Sequence, residues 1–125
     1  MKTVLIVEDG HADQHLMVSL LEQSGYQVVA KSSAEDAEKW LLEEKNHPDL
    51  IILDIVMPGL SGLDLCREIR STSDLSKVPI VFCSSKNKEF DQFWALRQGG
   101  NAYLTKPFLP KEFLSTVEAQ LAVNN

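Results

Sequence analysis

The sequence predicts an α/β fold: a five-stranded parallel sheet with five helices on its two faces. Three observations lead there. Short apolar runs recur along the chain, continuous rather than alternating, as strands covered on both faces require. Segments with apolar residues at helical spacing separate them. Glycine, proline and Ser-x-x-acid signatures mark the boundaries between the two. Strands that alternate with helices in this way pair in parallel through right-handed crossovers.

The elements follow in order. "TVLIV" (Thr3 to Val7) is β-branched, apolar and short, which predicts the first strand. From Gly10 the pattern changes, and Leu16, Met17, Leu20 and Leu21 fall at the spacing of one helix face, ending near Ser24-Gly25. "YQVVA" is a second strand, more polar and so placed at the sheet edge. Ser33 caps a second helix with Asp36 completing a capping box, and that helix runs through Trp40, Leu41 and Leu42. "HPD" breaks it before "LIIL", the third strand. Ser61 and Asp64 make another box and open a helix that turns Leu65, Cys66 and Ile69 inward. "VPIVFC" is the fourth strand, with Pro79 tolerable only near its start. A fourth helix spans about Lys88 to Gln98 and stops at Gly99-Gly100; "AYLT" is the fifth strand. Pro110 suits the first turn of a last helix carrying Phe113, Leu114, Val117 and Leu121 on one face.

The 125 residues suit one domain, 1–125, with one core and no separate output domain. A net charge of −6 with no Lys/Arg run argues against nucleic acid as the main partner. No apolar run approaches a membrane span, and the N-terminus lacks the pattern of a signal peptide, so a cytoplasmic protein with no membrane association is expected. Cys66 and Cys83 have neither CxxC spacing nor a histidine cluster and are expected to be reduced core thiols.

In such sheets ligands bind beyond the carboxyl ends of the strands, where strand order reverses. The residues there form a coherent set. Glu8-Asp9 follow the first strand, Asp54 the third, Ser84-Ser85 the fourth and Lys106-Pro107 the fifth. Three acids brought together repel one another and push pKa values upward. A divalent cation relieves that, and oxygen ligands favour Mg²⁺, with Mn²⁺ as a substitute. Beside a metal and a lysine, Asp54 can act as a nucleophile toward a phosphoryl group, and Ser84 can add a hydrogen bond.

With "VLIVED", "DLIILDIVMPGLSG", "PIVFCSS" and "AYLTKPF" in this order and spacing, the chain resembles a response-regulator receiver domain of the CheY type over essentially its full length. The strand order 2-1-3-4-5, known for CheY, is carried over with that resemblance. The resemblance implies Asp54 as phosphoacceptor, Asp9 as direct metal ligand, Glu8 as a ligand through water, and the Val56 backbone carbonyl as a further ligand. It implies Lys106 as the site lysine, followed by Pro107 in a cis bond, with Ser84 as the switch hydroxyl and Tyr103 as the aromatic that swings inward with it. The donor would be a histidine kinase or phosphotransfer domain, and the output a protein bound by helix 4, strand 5 and helix 5. The stretch "EFDQFWALRQGGNAYLTKPF" also resembles single-domain receivers of type IV pilus motility and phototaxis systems. The chain departs from a common receiver pattern at Ser84, Ser85 and Lys86. The side chains of Val56 and Lys86 would flank the phosphoryl group and set its lifetime.

Competing readings remain at this level. Asp54 alone could cap a loop, Glu8-Asp9 could only complement a helix dipole, and Ser84 could only satisfy loop backbone. A receiver-like module without phosphorylation and a phosphate sink for a shared kinase both stay open. A metal-dependent aspartyl phosphatase lacks its DxD pattern, since Ile55 and Val56 follow Asp54, and flavin binding lacks a suitable phosphate loop after the first strand. His11 and His15 share helix spacing but have no third ligand in the sequence, so a solvated face is expected. Phe90, Phe93, Trp94 and Trp40 read as packing residues, with Trp94 the candidate for an exposed partner contact.

Overall fold

The computed structural model describes residues 1–123; residues 124 and 125 of the expected domain lie outside the described residues. The strands are β1 (Thr3–Val7), β2 (Gln27–Lys31), β3 (Leu50–Leu53), β4 (Ile80–Ser84) and β5 (Ala102–Thr105). All pair in parallel, in the order β2-β1-β3-β4-β5. The helices are α1 (His11–Gln23), α2 (Ala34–Glu38), α3 (Gly62–Ser71), α4 (Glu89–Arg97) and α5 (Pro110–Val123). Fold class and strand order are those the sequence and its resemblance predict.

Burial explains the strand composition. β3 and β4 are buried along their whole length, so each can be apolar at every position. Side chains alternate between two cores. Leu5, Val7, Ile51, Leu53 and Phe82 face α2, α3 and α4, whereas Val4, Ile6, Ile52, Val81 and Cys83 face α1 and α5. β2 is half-exposed, as its edge position requires. It begins one residue later than predicted, at Gln27, where the register with Thr3 of β1 begins. Pro79 lies just outside β4, and its carbonyl accepts from Ile51 N–H at 2.9 Å.

The helix boundaries correct several expectations. Leu16 is exposed while Met17 and Leu21 are buried, because Leu16 lies well around the helix from the stripe those two define. Ser33 caps α2 by accepting from Asp36 N–H at 3.1 Å, without the return bond of a full box. α2 is short, and the predicted continuation through Trp40 and Leu42 is a π-helical turn, Lys39–Glu43. At α3 the box forms in both directions between Ser61 and Asp64, and Leu65, Cys66 and Ile69 are buried as expected. A short 3₁₀ turn, Ser73–Leu75, follows. Phe90 and Phe93 are exposed, contrary to a packing role, while Trp94 is exposed as the candidate surface aromatic should be; Ala95 is the one buried residue of α4. Trp40 does pack against the core.

Register brings the strand ends together. Val7 pairs with Leu53, and Asp54 N–H donates to Val7 O at 3.0 Å, so Glu8 and Asp54 emerge side by side. Ser84 pairs with Thr105, and Lys106 N–H donates to Ser84 O at 2.8 Å. The loop after Asp54 returns on itself through Gly62 N–H to Ile55 O, 3.0 Å. The approach is so close that a Cβ on Gly62 would lie 1.9 Å from Asp54 O. Gly62→Ala therefore costs on the order of 2 kcal/mol by overpacking. The measurement is a lowered urea midpoint with an unchanged slope; a wild-type midpoint would mean that the loop yields freely.

Candidate functional site

The strand-end residues converge as the sequence predicts. Carboxylate oxygens of Glu8, Asp9 and Asp54 lie within 4.8 Å of one another. Glu8 and Asp54 are buried and Asp9 is exposed, so the cluster opens to solvent on the Asp9 side. Lys106 reaches into it. Its Nζ lies 2.6 Å from Glu8 Oε1 and 3.3 Å from Asp54 Oδ2. A third carboxylate, Asp13 Oδ2, is 3.1 Å from the same nitrogen.

Backbone donors hold the acids in place. Glu8 Oε2 accepts from Gly10 N–H at 3.0 Å, and Asp54 Oδ1 accepts from Ile55 N–H at 2.7 Å. The Lys106-Pro107 bond is cis. Phe108 then stacks on Phe113 of α5, ring centroids 5.0 Å apart, which anchors the turn that carries the lysine. Leu60 N–H donates to Glu35 of α2 at 2.8 Å and pins the loop that follows Asp54. The Val56 side chain projects into solvent from that loop.

Burial pushes the Glu8 carboxyl above its ordinary range, helped by the Asp54 charge, while Lys106 and Gly10 N–H pull against it. Burial alone would lower the Lys106 ammonium. The carboxylates of Glu8, Asp54 and Asp13 outweigh that and hold it above the usual lysine range. The lysine is thus a fixed cation among acids. Burial pushes the Cys83 thiol up to about 12 and raises Cys66 as well, so both are protonated core thiols.

Ser84 is fully buried at the end of β4, and its Oγ accepts from Lys86 N–H at 3.3 Å. The Tyr103 hydroxyl donates to Lys86 O at 2.7 Å, with its ring half-buried beside Phe82. Both side chains therefore grip the backbone of one residue. Ser84 does satisfy loop backbone, and through Lys86 it is linked to Tyr103. Neither link is legible in sequence. Asp13 was also missed; its signal is an acid in the first turn of α1, four residues after Asp9. His11, His15 and His47 are exposed and stand apart from the acidic cluster.

The sequence matches the response regulator receiver domain over residues 4–118, and the chain belongs to that family. It is 35% identical to protein PilH of Pseudomonas aeruginosa over 122 residues, which cover 98% of this chain and 99% of PilH. It is 38% identical over 120 residues to the alkaline phosphatase synthesis transcriptional regulatory protein PhoP of Bacillus subtilis; these cover 96% of this chain and 48% of PhoP. Among solved structures it resembles the receiver domain of sensor histidine kinase PA1611 from Pseudomonas aeruginosa, which has a magnesium ion coordinated in its active site cleft. The TM-score is 0.88 at 28% identity, covering 97% of this chain and 98% of that one. Receiver domains are phosphoacceptor switches in two-component signalling. Among the described residues no helix is long and apolar enough to cross a membrane.

Removing the lysine leaves Glu8 and Asp54 buried without their cation. In metal-free buffer Lys106→Met is expected to lose about 2 kcal/mol of stability at pH 7, discounted from a fully buried pair. Glu8 has a raised folded pKa, so the folded state takes up its proton before the unfolded chain does, and the penalty is relieved as pH falls toward the ordinary value of 4.5. Urea unfolding at pH 7 and pH 5 checks this. The deficit shrinks at pH 5; an equal deficit at both would show that the acids do not depend on the lysine.

Proposed function

We propose that this chain is a response regulator that accepts a phosphoryl group on Asp54 from the phosphohistidine of a histidine kinase or phosphotransfer domain. The observation that carries the reading is the buried Asp54 carboxylate, clustered with Glu8 and Asp9 and 3.3 Å from Lys106 Nζ. Receiver domains bind Mg²⁺ in this acidic pocket, and an all-oxygen donor set suits a hard cation. Asp9, Asp54 and the Val56 backbone carbonyl would hold Mg²⁺ or Mn²⁺, with Glu8 acting through a water. When bound, the ion neutralises charge on the oxygens of the transferring group.

The remaining work falls to the chain. An Asp54 oxygen attacks phosphorus, the P–N bond breaks, and its electron pair leaves with the imidazole. Lys106 balances the negative charge gathered at the acceptor. Ser84 turns from Lys86 N–H to donate to a phosphoryl oxygen, which loosens the Lys86 backbone that Tyr103 also holds. That couples occupancy of Asp54 to the position of Tyr103 and biases two surface shapes. Slow attack by water restores the carboxylate, so the chain is a switch rather than a turnover enzyme.

The output surface in this reading is α4, β5 and α5, where Phe90, Phe93 and Trp94 are exposed. Similarity to PilH along almost the whole of both chains supports a single-domain regulator, 1–125; in this reading its target is a separate protein, in a motility or taxis pathway. A cytoplasmic location, with neither nucleic acid nor membrane as partner, goes with it.

Intact mass after incubation with acetyl phosphate and Mg²⁺ tests the reading. One added phosphoryl group is expected on the wild type, and none on Asp54→Ala or without metal. No addition, where an authentic receiver is labelled in parallel, would leave a module that works without phosphorylation.

A further inference from the structure

Asp13 lies outside the set of residues assigned above, yet its carboxylate is closer to Lys106 Nζ (3.1 Å) than that of Asp54 (3.3 Å). An acid in a first helical turn ordinarily complements the helix dipole while facing water. Here the carboxylate is turned back onto the lysine. We infer that Asp13 is a positioning residue of the phosphoacceptor site: it occupies one Lys106 N–H until a phosphoryl oxygen replaces it, and its charge hinders anionic phosphodonors at the mouth. The inference rests on the reading of Asp54 as acceptor.

The geometry explains why Asp13 is the partner that yields. An ammonium has three N–H donors, and three carboxylates surround this one: Glu8, Asp13 and Asp54. A phosphoryl oxygen that binds Lys106 must displace one of them. The Glu8 side chain is 2% exposed and that of Asp54 9%, so either would be left buried without its cation. The Asp13 side chain is 45% exposed and regains water on release. Exchange at Asp13 is therefore the least costly. The arrangement keeps Lys106 in the site without committing it to the acceptor.

Asp13→Asn removes the charge at nearly constant shape, and Asp13→Glu keeps the charge. At saturating Mg²⁺ and low ionic strength, Asp13→Asn should be labelled by acetyl phosphate about fivefold faster than wild type, the order expected when one unit charge is removed near an anionic donor. Asp13→Glu should stay near wild type, and added salt should narrow the gap. Without any donor, calorimetric titration should show weaker Mg²⁺ binding by Asp13→Asn, because the mouth has lost an anion. Equal labelling rates and equal Mg²⁺ affinities would overturn the inference, as would a rate change that salt leaves intact. A wild type that cannot be labelled at all would sink the acceptor reading instead. The Mg²⁺ comparison would then still decide whether the Asp13 charge acts on the site.

Discussion

One ammonium group holds this site together. Lys106 Nζ meets carboxylates from the end of β1, the first turn of α1 and the end of β3, all within 3.3 Å. These acids could not lie so close without a cation, since burial already raises Glu8 above its usual range. The rest of the architecture serves that meeting. In-register pairing of β1 with β3 sets Glu8 beside Asp54, and Lys106 N–H bonded to Ser84 O directs the lysine across the sheet edge. Phe108 on Phe113 closes the turn behind it. Gly62 lets the loop after Asp54 fold back against its own start.

The same edge carries Ser84 and Tyr103, the parts of the switch in the proposed reading. Ser84 and Tyr103 hold opposite ends of one residue, the N–H and the C=O of Lys86. Ser84 also acts directly on the Tyr103 hydroxyl by a side-chain hydrogen bond, so the two residues are joined both through Lys86 and to each other. α4, which follows that loop, is anchored by Ala95 and carries its large aromatic residues outward. A helix with so little buried surface costs little to shift. Its far end is held more firmly: the Arg70 side chain donates to Gly99 O at 2.9 Å and to Asn101 Oδ1 at 2.8 Å.

Much of this was legible in the sequence because the pattern and the physics coincide. β1, β3 and β5 fall where the apolar runs lie, and the capping box at Ser61 and Asp64 forms as written. The acids and the lysine could be placed at one edge because parallel strands end on the same side. What could not be read depends on packing or on long-range partners. Leu16, Phe90 and Phe93 look like core residues by type, but the sheet offers them no face. The π-helical turn after α2 breaks the helical period that Trp40 and Leu42 suggest. Asp13 on Lys106 and Glu35 on Leu60 N–H join residues far apart in the chain, and no local spacing announces either bond.

The most direct measurement asks which carboxylate carries the phosphoryl group. After treatment with acetyl phosphate and Mg²⁺, borohydride reduces an acyl phosphate to an alcohol, and peptide mass spectrometry finds the altered residue. Conversion of Asp54 to homoserine, with Glu8, Asp9 and Asp13 unchanged, is the result expected if Asp54 is the acceptor beside the fixed lysine. Conversion at Glu8 or Asp9, or at no carboxylate of a chain known to be folded, would contradict it.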